Sequence, residues 1–220
     1  MKSLVRLRDL GFAPKAILDV GAFVGNFSRM ARKHFPEAHI MMIDALPEVE
    51  PYLATAAEDI GNAEFAIALA GARNGPATFY VVDSEARPDV CKTGSSIYRE
   101  KSEYPMIARA VTQAPLSETL AGKEPFQLVK LDVQGAELDV LAGYGDMSGV
   151  HAILLEMSLV EYNAGAPLID AVLARMREYG FVLFDIDETH HRDRRGTLLQ
   201  LDGLFLREDA RVRPRGPFWK

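Results

Sequence analysis

The stretch Ile17-Leu18-Asp19-Val20-Gly21-Ala22-Phe23-Val24-Gly25-Asn26-Phe27-Ser28 decides how this chain is read. An apolar run ends beside an acidic residue, turns through two glycines and opens into a helical pattern. A parallel α/β sheet builds a nucleotide-sized pocket in this way, because glycine lets the backbone approach a ligand and a helix N-terminus offers unpaired N–H groups. The carboxylate of Asp19 narrows the choice of ligand. It would repel a dinucleotide pyrophosphate and attract a cofactor carrying an ammonium and a sulfonium, such as S-adenosylmethionine. Phe23 and Val24 also depart from the G-x-G-x-x-G spacing of dinucleotide sites. The turn therefore predicts a methyl-donor site in preference to a nicotinamide site.

Outward from this turn, strand and helix signals alternate. Ser3 can cap an N-terminal helix within residues 1–13, with Leu4, Leu7 and Leu10 at helical spacing and Gly11 at its end. Residues 17–20 read as the first buried strand. Phe27, Met30, Ala31 and His34 share one face of a helix that Pro36 helps to end. Residues 39–43 form a second strand running into Asp44, residues 47–59 a helix with Gly61 and Asn62 as its exit, and residues 64–69 a third strand. The alternation falters between 71 and 113. Residues 78–82 read as an extra strand, whereas residues 83–104 are polar, contain Pro88, Gly94, Ser95 and Ser96, and show no period; a loop of this length is read as a flap over a substrate pocket, with a surface insertion as the alternative.

Regularity returns with a strand over 126–132, a helix over 136–141 closed by Gly143, and a strand over 150–156. Leu168, Ile169, Val172, Leu173, Met176 and Tyr179 then mark a helix with a wide apolar stripe. Strands at 181–186 and 201–207 are joined by the charged connector 187–196, with no helix between them. The pattern predicts a single α/β domain over residues 1–220: a Rossmann-like, mostly parallel sheet with a C-terminal antiparallel strand and helices on both faces. Residues 208–220, with Arg211, Arg213, Arg215 and Lys220, read as a frayed basic tail.

Composition excludes several classes. At 220 residues the chain is long enough for one sizeable core, and 48% hydrophobic with 25% charged residues is ordinary for a globular protein. A net charge of -6 argues against a general nucleic-acid or anionic-membrane binder. Cys91 is the only cysteine, so neither an internal disulfide nor a cysteine-based zinc site can form, and a reducing cytoplasm fits. The first residues are too charged for a signal peptide, and no run approaches the roughly 18 apolar residues that span a bilayer.

Several segments together carry a family resemblance: Leu10-Gly11-Phe12, residues 17–22 with Gly25 and Ser28, the pair Ser95-Ser96, residues 116–120, and above all Lys130-Leu131-Asp132-Val133-Gln134-Gly135-Ala136-Glu137 with Leu141 and Gly143. From Leu10 to about Arg207 the chain resembles the FkbM-type methyltransferases, within the class I S-adenosylmethionine-dependent fold. Two positions depart from the family pattern. Gln134 stands where the family usually has an acidic residue, and Asp44-Ala45 replaces a Glu-Pro pair while keeping a carboxylate.

These readings define a set of candidate residues. Asp19, Gly21, Ala22, Phe23, Gly25, Asn26, Asp44 and Asp132 are the expected cofactor contacts, with Asp19 near the amino group of the methionine moiety and Asp44 on the ribose hydroxyls. Asp132, Glu156, His190 and His191 are the candidates for handling the acceptor proton, although at most one of two adjacent strand histidines can face a pocket. If a divalent cation binds, Asp132 and Glu156 are its candidate ligands, and two carboxylates alone do not make a metal site. His34 and His39 carry no expected chemistry. The resemblance implies methyl transfer to a hydroxyl of a sugar, glycan or secondary metabolite; a cofactor-binding accessory protein without catalysis is the alternative, and a nicotinamide oxidoreductase a more distant one. No nucleic-acid or membrane partner is expected.

Overall fold

The computed structural model describes residues 1–83, 85, 92–187 and 191–213. The central sheet grows from strand β1 (Ala16–Val20), buried at every position. Its neighbours are β2 (His39–Asp44), β3 (Ala63–Ile67), β7 (Leu128–Leu131) and β8 (Ala152–Ser158), all parallel, in the order β8-β7-β1-β2-β3. Successive side chains of these strands enter opposite layers, as strand geometry requires. Ile17, Ile40, Met42 and Leu128 pack on α1 (Lys2–Asp9), α2 (Asn26–His34) and α3 (Glu50–Ile60) through Leu4, Leu7, Phe27, Ala31, Leu53 and Ala56. Leu18, Val20, Met41 and Val129 pack on α5 (Glu137–Ala142) and α6 (Ile169–Glu178) through Val140, Leu141, Val172 and Met176. The expected α/β sheet with helices on both faces is therefore the observed one.

The antiparallel strand needs one refinement. Strand β11 (Leu198–Arg207) is not added at the sheet's edge but is inserted between β8 and β9 (Phe181–Ile186), antiparallel to both. The two-residue β10 (His191–Arg192) pairs with the other half of β11. This insertion aligns Asp202 with Glu156 and Gln200 with Ser158.

Four further differences have local causes. The single strand expected over 64–69 is two, because Ala68 ends β3, and β4 (Leu69–Gly71) leaves for a second sheet of order β4-β6-β5 with β5 (Gly75–Val82) and β6 (Met106–Pro115). Strand β6 escaped the sequence reading because Arg109, Thr112 and Gln113 interrupt its apolar residues, and it is covered on one side only. Ser3 does not cap α1: Met1 holds that position, and Asp187 of the connector accepts the free Lys2 and Ser3 amides at 2.6 and 2.9 Å. A distant carboxylate thus completes the N-terminal turn. The helix expected over 47–59 starts with a 3-10 turn, Pro47–Val49, and becomes α-helical at Glu50.

Among the described residues no helix is long and apolar enough to cross a membrane.

Candidate active site

Parallel strands end together, and their carboxyl ends leave a crevice that the following turns line. Here that crevice is a cavity of 540 Å³ extending from Gly21 and Asp44, over Asp132 and Glu156, to the small sheet at Phe79 and Val82. Its size lies within the roughly 300–1,000 Å³ usual for small-molecule sites. A second cavity of 480 Å³ lies against it on the α1–α2 side; Gly21, Phe23 and Asp132 line both.

The first turn is held by backbone geometry that its glycines permit. Gly21 has φ +77°, and a Cβ there would stand 1.9 Å from the Asp132 carbonyl oxygen. The close approach is therefore first of all to β7, with the cavity on its other side. Gly25, also at φ +77°, begins α2, and a Cβ there would meet that of Ala56 at 2.7 Å, so it sets how closely α2 lies on α3. Phe23 takes φ +49° and donates its N–H to Asp44 Oδ2 at 2.8 Å, while Leu46 N–H reaches Asp44 Oδ1 at 2.9 Å. Asp44 is buried, and burial raises its pKa against the two amide bonds. It caps no helix, since Leu46 precedes the 3-10 turn, and each of its oxygens keeps a lone pair for a ligand.

The expected contacts divide by position. Gly21, Phe23, Asp44 and Asp132 line the larger cavity; Ala22 and Asn26 line the second. Gly25 lines neither, and nor does Asp19. Its fully buried carboxylate accepts the Ser28 hydroxyl at 2.7 Å and lies 3.6 Å from Lys130 Nζ, with Oδ1 otherwise unbonded. Burial raises its pKa, with Lys130 and Ser28 acting the other way. The carboxylate read from the turn motif thus faces α2 and Lys130 from beneath the glycines. Period-two alternation puts it opposite Leu18 and Val20.

Beyond β7 the crevice holds a cluster of charged and amide groups. Lys130 Nζ, nearly buried, donates to Asp132 Oδ2 at 3.1 Å and to the Gly21 carbonyl at 3.4 Å, and lies 5.7 Å from the centre of the Phe27 ring. Burial disfavours its charge, but Asp132 and Asp19 outweigh that and hold its pKa above the ordinary lysine range. Gln134 Nε2 donates to Asp132 Oδ1 at 2.9 Å and to the two Glu156 oxygens at 3.2 and 3.3 Å. Gln200 Nε2 gives Glu156 Oε2 a further bond at 2.8 Å. Burial, then the carboxylates of Asp132, Glu137 and Asp202, raises the Glu156 pKa well above that of an ordinary glutamate. Glu137 plays another part: its Oε1 accepts the Val133 and Gly135 amides at 3.0 and 3.2 Å, tying the turn to α5, and burial pushes its pKa up to about 7.

The described part of the expected flap is docked on this cluster. Ser96 exchanges backbone bonds with Tyr80 and sends its hydroxyl to the Val133 carbonyl at 3.1 Å. Glu100 bridges to Asn163 and accepts the Tyr162 hydroxyl at 2.9 Å, and both Glu100 and Tyr162 line the large cavity. Residues 84 and 86–91 of that segment lie outside the described residues. So do His190 and the side chain of His191, whose backbone lies in β10 opposite Gln200.

Lys130, Gln134, Gln200, Asp202, Glu100 and Tyr162 were not among the expected site residues. Lys130 was within reach, since it stands two residues before Asp132 on one strand and must share its face. Gln200 and Asp202 were not, because only the insertion of β11 beside β8 brings them to Glu156. Among the described residues no three His, Cys, Asp or Glu side chains converge as metal ligands.

The sheet order and the crevice at its switch point define the class I methyltransferase fold, and solved structures agree. The chain is similar to a Burkholderia thailandensis 1,6-didemethyltoxoflavin N1-methyltransferase with bound S-adenosylhomocysteine, at 14% identity and TM-score 0.52 over 94% of this chain and 76% of that one. It is similar to the Streptomyces achromogenes O-methyltransferase TomG in complex with S-adenosylmethionine, at 13% identity and TM-score 0.51 over 93% and 76%. A putative RNA methyltransferase from Pyrococcus horikoshii matches at 12% identity and TM-score 0.53 over 94% and 82%. At such identities the likeness is one of fold. No curated protein matches the chain. The model of the methyltransferase FkbM domain matches residues 19–183. The chain belongs to the FkbM methyltransferase family, and it is an S-adenosylmethionine-dependent methyltransferase.

Proposed function

We propose that this enzyme methylates a hydroxyl group of a small molecule, a sugar, glycan or secondary metabolite, in the cavity above β1, β7 and β8. The observation that carries the reading is the pair of carboxylates, Asp132 and Glu156, on one wall of that cavity, with a buried carboxylate, Asp44, on another. Asp44 suits the vicinal hydroxyls of a ribose, and the apolar Leu46, Ala68 and Leu69 beside it suit a purine. Gly21, Phe23 and Asp132 would complete the cofactor's cradle, with Ala22 and Asn26 on the side of the second cavity. When bound, S-adenosylmethionine supplies an electrophilic methyl group on a sulfonium.

The protein's own task is then to align the acceptor oxygen, exclude water and take its proton. As the acceptor oxygen takes up the methyl that the cofactor would supply, its hydroxyl proton would pass to a carboxylate of the chain. Glu156 is the better proton acceptor, because burial and the neighbouring carboxylates make it more basic than an ordinary glutamate. Asp132, bonded to the Lys130 ammonium, orients the hydroxyl. Glu100 and Tyr162 form the outer wall against which the acceptor would rest.

The test is methyl transfer from labelled donor to a panel of glycosides and hydroxylated metabolites, by wild type and by Asp132→Ala. Transfer to an oxygen atom that drops about 10²–10⁴-fold in the variant at saturating S-adenosylmethionine supports this assignment. Tight cofactor binding by wild type and no transfer to any acceptor would favour an accessory role, and transfer to nitrogen would replace the hydroxyl by an amine.

A further inference from the structure

Gln134 joins the two carboxylates in a way that bears on metal dependence. Its backbone sits at φ +55°, in the left-handed region that side-chain-bearing residues rarely adopt. Around it the turn is fixed at three points: Glu137 accepts the Val133 and Gly135 amides, Ser96 donates to the Val133 carbonyl, and Gly135 lies so close to Ala166 that a Cβ there would stand 2.6 Å from its methyl. The surroundings therefore hold the strained residue, and the strain aims its amide between Asp132 and Glu156. One –NH₂ group has two hydrogens and can serve two carboxylates at once. With Lys130 on Asp132 Oδ2 and Gln200 on Glu156 Oε2, each of the four carboxylate oxygens accepts an N–H bond. A magnesium or calcium ion would need those oxygens as ligands, and here each is already engaged by an N–H donor.

We propose that Gln134 is a positioning residue whose amide does a cation's work, bridging Asp132 and Glu156 so that methyl transfer needs no divalent ion. A carboxylate at position 134 would turn the same wall into a divalent-cation site. The first part rests on the methyltransferase reading above; the second concerns ion binding and can be measured without turnover. Two carboxylates this close repel each other, and without a bridge both would be harder to ionise together. The amide offsets this while adding no charge to the wall. A glutamate in its place would put a third acidic oxygen pair at the bridging position and remove the donor.

The experiment compares wild type, Gln134→Glu, and Gln134→Glu combined with Asp132→Asn. Mn²⁺ binding is followed by electron paramagnetic resonance, and thermal unfolding is recorded with Mn²⁺ and separately with S-adenosylhomocysteine. Wild type is expected to bind no Mn²⁺ in this cavity and to keep its methyl transfer in EDTA. Gln134→Glu is expected to bind Mn²⁺ at least about tenfold more tightly than wild type, since a third carboxylate adds both ligands and charge; removing Asp132 abolishes the gain. Mn²⁺ binding by wild type that depends on Asp132, transfer lost in EDTA and restored by Mg²⁺, or a folded Gln134→Glu that binds Mn²⁺ no better than wild type would each overturn the proposal. If the glutamate variant does not fold, Gln134→Met tests the bridge. It matches glutamine in length without the donor and should move the acidic limb of the pH–rate profile upward, and an unmoved limb refutes the bridge. Failure of S-adenosylhomocysteine to raise the melting temperature of wild type would instead count against the methyltransferase reading, with the ion-binding result still readable.

Discussion

At the scale of single residues, the site depends on groups whose burial and spacing make them behave differently from free side chains. Glu156 has its pKa raised by burial and by its acidic neighbours, so the ionised base appears only as pH rises through that raised value. The expected profile of kcat/KM has an acidic limb above the ordinary glutamate range, and Glu156→Gln should lower the rate by about 10²-fold or more while flattening that limb. A limb that keeps its position in the variant would assign the titration to another group. Gly21 tests the backbone. Gly21→Ala brings a methyl within 1.9 Å of the Asp132 carbonyl and requires φ +77° of a residue with a Cβ, which costs at least about 1–3 kcal/mol from strain alone. The variant should unfold at lower denaturant and bind S-adenosylhomocysteine more weakly, as read by chemical denaturation and calorimetry. Asp19, the residue that first suggested a cationic ligand, reaches the cavity only indirectly, through Lys130 and the turn above it.

At the scale of elements, the turn between β7 and α5 is sensitive to pH. Glu137 is buried while accepting two amides, and its pKa is pushed up from 4.5 to about 7. A carboxyl whose pKa is higher folded than unfolded favours the folded state below its unfolded value, and that advantage is lost as pH rises through the folded one. Glu137 therefore lowers stability progressively between about pH 4.5 and pH 7, by a total of about 3 kcal/mol. Glu137→Gln keeps the accepting oxygen and removes the charge. Its stability relative to wild type, from urea unfolding across that range, should grow with pH and level off above neutrality; a constant difference would mean that Glu137 does not titrate there. Elements also mark the limit of pattern reading. The strands of the central sheet were legible because both faces are buried and their residues are almost wholly apolar, as in 16–20 and 152–155. Strand β6 was not, since a half-exposed strand carrying Arg109 and Gln113 has no apolar period to detect. The docked segment 92–104 has a similar explanation: backbone pairing with Tyr80 and Asn163 holds it, and backbone pairing leaves little trace in side-chain type.

At the scale of the whole molecule, the cavity is bounded by the carboxyl ends of several parallel strands, so a ligand there should stabilise the sheet as a unit. At a concentration a hundredfold above its Kd, S-adenosylhomocysteine should add about 2.7 kcal/mol to the unfolding free energy. For a chain of this length that corresponds to a rise in Tm of roughly 5–10 °C, measurable by calorimetry or dye-based melting. Nicotinamide dinucleotide should produce a smaller rise, because the carboxylates that line the cavity would repel its pyrophosphate. By itself the sequence determined the alternation of strands and helices, the glycine turn, and the local spacing that puts Asp132 at the mouth of β7, because these follow from periodicities of two and 3.6 and from the φ angles glycine alone adopts freely. Only the tertiary structure decided which distant groups meet. The insertion of β11 beside β8 set Gln200 and Asp202 next to Glu156, a left-handed turn aimed Gln134 between two carboxylates, and the packing of α2 on β1 gave Asp19 the Ser28 hydroxyl as its partner. Such meetings depend on strand order and on a single backbone angle, and neither leaves a periodic mark in the chain.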